Sequence, residues 1–146
     1  MSFAKRVVLD TSTLIGAVLC PQSVPRQAFL AAVASAALCA SPATLAELEQ
    51  VLMREKFDRY LDRETRGDFL VLYRRHARLF PVSEADETAL PQPCRDPRDN
   101  KFLALALSCS ADVLVSSDDD LLTLNPYRGI PILTPKEYCG EQVRQN

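Results

Sequence analysis

With 146 residues, 47% of them hydrophobic and 25% charged, the chain has the make-up of an ordinary globular protein, with room for one domain and a real core. A formal net charge of −2 excludes whole-protein attraction to nucleic acid or membrane surfaces, so a polyanion would have to be met by a local cluster of cations. No apolar run reaches membrane-spanning length, the best being the Ala-rich residues 27–40, and no leader pattern opens the chain; the expectation is a single cytoplasmic domain over residues 1–146.

In chain order, Lys5–Leu9 ends in the apolar run Val7-Val8-Leu9, suited to a buried parallel strand, and Asp10-Thr11-Ser12 supplies helix-start chemistry. Residues 14–19 read as a short helix broken at Pro21, residues 25–37 as a second, and residues 37–40 as a strand. Ser41-Pro42 is the N-cap and first-turn proline of a helix whose apolar stripe is Leu45, Leu48, Val51 and Leu52, with Glu47 off the stripe. Residues 57–80 carry a further helical pattern, through Phe69, Leu72, Tyr73 and Leu79. Residues 81–97, rich in proline and acid, read as a strand end and a surface loop. Asp96-Pro97-Arg98-Asp99 then opens a helix bearing Phe102, Leu103, Leu105 and Ala106. Residues 113–115 form a strand, 118–122 a short helix and 130–133 a last strand. Strands alternating with helices predict an α/β fold whose parallel sheet is covered on both faces.

The five cysteines, Cys20, Cys39, Cys94, Cys109 and Cys139, are odd in number and widely spaced, which suits neither a disulfide framework nor a zinc knuckle. Cys39 and Cys109 sit in apolar surroundings and read as small buried hydrophobes. Positive charge concentrates in one stretch, Arg54, Lys56, Arg59, Arg63, Arg66, Arg74, Arg75 and Arg78 with His76, diluted by Asp58, Asp62, Glu64 and Asp68. The pattern suits either a phosphate-contacting arm or a helix surface laced with ion pairs.

Each prominent acid has a local explanation. Asp10 can N-cap a helix, Asp96 and Asp99 can form a capping pair around Pro97, and Asp118 suits the positive end of a helix dipole. Glu47 can be a solvated surface residue. Their joint placement argues further. In a doubly wound sheet, strand-to-helix junctions open at the carboxyl edge, where Asp10, Asp99 and Asp118 all stand at helix starts. Glu47, less than two turns into its helix, reaches the same edge. Four crowded carboxylates repel one another, and a divalent cation removes that penalty. With no His or Cys ligand nearby, the ion is a hard one, Mg²⁺ or Mn²⁺.

The blocks VVLDTSTLIGAVL, SPATLAELEQVLMREKF, CRDPRDNKFLALALSCSADVLVSSDDDLL and IPILTPKEY resemble the PIN-domain proteins, most closely the bacterial toxin branch related to VapC ribonucleases. The resemblance runs from Val7 to Tyr138. It implies a three-layer α/β/α fold with a central parallel sheet of four to five strands. It also implies an acidic tetrad at Asp10, Glu47, Asp99 and Asp118 that binds metal and catalyses RNA hydrolysis. Asp96 is the rival for the third place. Asp120, Ser12 and Ser116 match positions that support the first acid or the metal. Arg95, Arg98 and Lys101, beside the third acid, are candidates to hold the scissile phosphate, or else to pair with the neighbouring acids. The same resemblance implies an antitoxin partner, and the helices between Arg54 and Arg78 suit partner or homodimer contacts.

Two other readings compete. A PIN-like module that only binds RNA or protein would keep the fold without the chemistry. A phosphoacceptor receiver domain needs a mid-chain aspartate ending a strand and a late strand-end lysine. Its candidates, Asp58 and Lys136, sit in helical and helix-start contexts instead.

Overall fold

The computed structural model describes residues 5–145. Its centre is a five-stranded, all-parallel sheet in the order β3-β2-β1-β4-β5. The strands are β1 (Lys5–Leu9), β2 (Ala36–Ala40), β3 (Arg78–Leu79), β4 (Val113–Val115) and β5 (Ile132–Leu133). The helices are α1 (Thr11–Leu19), α2 (Val24–Ser35), α3 (Pro42–Leu52), α4 (Arg63–His76), α5 (Glu84–Thr88), α6 (Asn100–Ser108), α7 (Asp119–Leu122) and α8 (Pro135–Gln145).

The two-residue period of a strand divides the core into two layers. Val7 and Leu9, Leu38 and Ala40, and Val113 and Val115 face one way, onto Leu14 and Val18 of α1, Ala28 and Ala32 of α2, Leu48 and Leu52 of α3, and Tyr73 of α4. Val8, Cys39, Leu114 and Ile132 face the other way, onto α6 through Phe102, Leu103 and Leu105, and onto Leu121 of α7. The result is the expected three-layer α/β/α fold. Strand order reverses beside β1, so the ends of β1 and β4 flank a crevice at the carboxyl edge.

Several helices start where the sequence provides an oxygen for the first free amides. Ser23, Ser41 and Asp62 cap α2, α3 and α4, and Ser41 and Thr44 form a reciprocal capping box. Three expectations need correction. The helical pattern of residues 57–80 is a helix only from Arg63, because Asp62 caps it there and the preceding segment is a 3₁₀ turn (Glu55–Phe57) followed by further turns. At its other end Arg78–Leu79 leaves the helix to pair with Cys39 and Ala40 as the edge strand. The acidic residues expected as loop contain α5, whose Ser83–Asp86 capping box starts a helix the composition had hidden.

Arg66 explains how the α3–α4 connection is shaped. Its side chain is fully buried and donates to the carbonyls of Leu52, Arg54 and Leu61 and to the Asp58 carboxylate. It is therefore a clamp on residues 52–61, which removes it from the phosphate-contacting arm considered above. Asp58, in a turn and paired with Arg66, does not end a strand as a phosphoacceptor would. All five cysteines are free, and Cys39 and Cys109 are buried as expected.

Candidate carboxylate site

Asp10 follows β1 directly and is 4% exposed. Its backbone N–H donates to Val115 at 3.1 Å, which ties the end of β1 to the end of β4. One carboxylate oxygen accepts from the Thr13 amide at 2.9 Å, so the residue does cap α1; the other accepts from the Ser116 hydroxyl at 2.5 Å. Ser12 Oγ adds a longer contact at 3.2 Å. Burial raises the Asp10 carboxyl above its ordinary range, and the hydrogen bonds from Ser116, Thr13 and Ser12 pull the other way.

Ser116, fully buried after β4, is the hub of this corner. While its hydroxyl donates to Asp10, its oxygen accepts the Asp118 amide at 2.9 Å. Asp118 in turn caps α7 by accepting the Asp120 amide at 2.8 Å. Asp120 itself does not line the cleft that Asp118 lines.

Asp99 ends a 3₁₀ turn (Pro97–Asp99) that leads into α6, and its side chain caps nothing. Burial pushes its carboxyl up to about 7, with the adjacent Asp118 carboxyl next in effect and Asp96 and Asp10 after it. Asp96 is engaged elsewhere: it accepts from the Arg98 amide at 3.0 Å and pairs with the Arg98 guanidinium at 2.9 Å, which holds it below the usual carboxylate range. The capping role falls to Asp96 alone.

Glu47 reaches the same space from α3. Lys101 of α6 donates to one of its oxygens at 2.8 Å, and the Thr11 hydroxyl donates to the other. A cleft of about 410 Å³ results, lined by Asp10, Ser12, Glu47, Asp96, Asp99 and Asp118, with Arg54, Lys56, Phe57 and Phe102 among its other walls. All four predicted acids therefore meet in one cleft. Of the three predicted phosphate holders, Arg98 and Lys101 are paired with acids, and exposed Arg95 does not line the cleft.

The donors are oxygens only, which suits a hard cation in kind. Among the described residues, no three Asp, Glu, His or Cys side chains are gathered as a ready-made cage, and Glu47 is engaged by Lys101 and Thr11. Burial first, and the neighbouring Asp118, Asp96 and Asp10 carboxyls after it, raise the Asp99 carboxyl, and a bound divalent ion would oppose the second of these effects. In chemical kind, an all-oxygen donor set is one that hard ions such as Mg²⁺ or Mn²⁺ accept.

Sequence reasoning missed two participants. Thr11 looked like part of a helix start, and only the α1–α3 packing brings it to Glu47. Cys94, buried beside the site, has its thiol 4.0 Å from Asp99 Oδ2 and its amide on Asn100 Oδ1 at 2.7 Å. Nothing in its sequence neighbourhood signals that placement.

A family model described as PIN domain matches residues 6–120. Among solved structures, VapBC2 from Rickettsia felis, bound to a DNA fragment from its promoter, aligns with a TM-score of 0.62 at 13% identity, covering 88% of this chain and 98% of that one. PAE2754 from Pyrobaculum aerophilum gives 0.59 at 14%, covering 97% and 91%. VapC20 from Mycobacterium tuberculosis, described as a Sarcin-Ricin loop cleaving toxin, gives 0.55 at 14%, covering 80% and 94%. At these identities the likeness is one of fold. No protein of curated function matches.

Proposed function

The chain belongs to the PIN-domain family, and from that premise we propose that it is a metal-dependent ribonuclease and the toxin of a toxin–antitoxin pair. The observation that carries the reading is the meeting of Asp10, Glu47, Asp99 and Asp118 in one cleft at the carboxyl edge of the sheet. Mg²⁺ or Mn²⁺ held by these four would supply Lewis acidity at a phosphodiester and lower the pKa of a water. The chain's own groups arrange that chemistry. Ser116 and the Thr13 amide hold the Asp10 carboxylate in one orientation, and the Thr11 hydroxyl holds one oxygen of Glu47, whose other oxygen pairs with Lys101 in the absence of metal. Ser12 and Asp120 complete the polar surroundings of Asp10 and Asp118. In the metal-free protein Asp99, with its carboxyl at about 7, is able to take up a proton near neutrality.

The partner role draws on the fold likeness to VapBC2, and on that analogy the chain would act in the cytoplasm beside an antitoxin, as a monomer or a homodimer. Among the described residues no helix is long and apolar enough to cross a membrane. The test is to mix purified protein with total RNA, with and without Mn²⁺, and map the new ends. Discrete ends that require Mn²⁺ are expected; intact RNA under both conditions would leave only the binding module. Co-expression with the neighbouring reading frame tests the toxin role, since an antitoxin should co-purify and suppress cleavage.

A further inference from the structure

Resting on the nuclease reading and deepening it, we propose that Arg54 and Lys56 form the wall of the cleft that binds the substrate's phosphodiester backbone. Both are exposed and both line the cleft that holds the four acids, although they come from the connection between α3 and α4. Of the cations next to the third acid in sequence, Arg98 also lines the cleft but is paired there with Asp96, and Lys101 is paired with Glu47. Among the described residues, Arg54 and Lys56 form no ion pair, since the four pairs present use Arg66, Arg74, Arg98 and Lys101. Lys56 Nζ lies 5.1 Å from the centre of the Phe57 ring, a contact that leaves its positive charge uncompensated.

The backbone that carries the two charges is also held in place. Arg66 fastens the backbone carbonyls of Leu52, Arg54 and Leu61 from inside, so the segment presents its cations from a fixed frame. A cleft lined by five carboxylates repels a polyanion unless fixed cations stand at its mouth. A phosphodiester backbone laid between Arg54 and Lys56 on one side and the acids on the other meets both requirements.

The test is fluorescence anisotropy with the full chain, Mg²⁺ and a hydrolysis-resistant phosphorothioate single-stranded oligoribonucleotide over a salt series. Wild type is compared with Arg54→Gln/Lys56→Gln and with Arg59→Gln/Arg75→Gln, which lies outside the cleft. The first double variant should bind roughly tenfold more weakly and lose about 1.4 from the slope of log affinity against log salt, the share of two single-strand phosphate contacts. The second should match wild type. That result stands even if wild type cuts no RNA, in which case only the nuclease reading falls. Unchanged affinity and slope in Arg54→Gln/Lys56→Gln would overturn the proposal while leaving cleavage untouched, and an acidic protein segment as the true occupant gives that outcome. Absence of oligonucleotide binding by wild type overturns it as well.

Discussion

Lys101 Nζ on α6 donates to Glu47 Oε1 on α3 at 2.8 Å, so the glutamate of the cleft is paired with an internal cation. The ammonium competes with any metal for the same carboxylate. Lys101→Met should therefore tighten Mn²⁺ binding several-fold, since a partly buried pair is worth on the order of 1 kcal/mol. Titration calorimetry reads the change directly, and a weaker affinity would mean that Lys101 serves chiefly to aim Glu47.

Asp10→Asn keeps the α1 cap, because asparagine caps as well as aspartate, and it removes a buried charge. Folding should be unaffected or improved, while Mn²⁺-dependent RNA cleavage falls by more than about 100-fold. Asp99→Asn should do the same without touching a cap. Circular dichroism and cleavage rates separate the two effects; full activity in both variants would refute the site.

Ser116→Ala removes the hydroxyl that joins Asp10 to Asp118. With one buried carboxylate oxygen left without its donor, the protein should lose about 1–3 kcal/mol of stability. Mn²⁺ affinity should drop roughly 10- to 100-fold, as for other groups that orient ligands. Unfolding curves and metal titration check both figures.

In metal-free protein the Asp99 carboxyl titrates near 7, above its ordinary 3.8, mainly because it is buried and beside Asp118. The folded state then holds a proton the unfolded state has released. The contribution of this group to stability falls as pH rises from about 4 to about 7, and the penalty is complete above that. Thermal melts in EDTA across this window should show the decline, and Asp99→Asn should reduce it, leaving the part due to buried Asp10. An equal slope in the variant would assign the effect to another group.

Arg66→Met leaves the carbonyls of Leu52, Arg54 and Leu61 without their donor and the Asp58 carboxylate without its partner. A loss of about 2–4 kcal/mol is expected, read as a lower midpoint in denaturant. RNA binding should weaken in the fraction that remains folded, because the Arg54–Lys56 segment loses its anchor.

The strands and most helices were legible because local chemistry marks them. Val7-Val8-Leu9 and Val113-Leu114-Val115 are apolar on both faces, as strands buried between two helical layers must be. Ser41-Pro42 announces α3 with its own cap. Residues 57–80 misled because a helical pattern of apolar residues carries no record of where the chain turns, and the turns before Arg63 are held by the Arg66 guanidinium, whose burial depends on the packing of α4 against α3. Arg78–Leu79 is a strand only because β2 offers it an edge.

The four acids could be named from strand ends and block resemblance, because the carboxyl edge of a parallel sheet is a consequence of chain order alone. Tertiary structure decided how each is used. Asp96 and Asp99 both line the cleft, but Asp96 is paired with Arg98 and Asp99 is not, and Glu47 is shared between Thr11 and Lys101. It also decided which cations are paired, taking Arg98 and Lys101 into ion pairs and leaving Arg54 and Lys56 unpaired on the cleft wall among the described residues. Spacing along a chain sets which groups can reach an edge, but pairing between charges depends on distances across elements, and those exist only once α3, α6 and the segment clamped by Arg66 are packed.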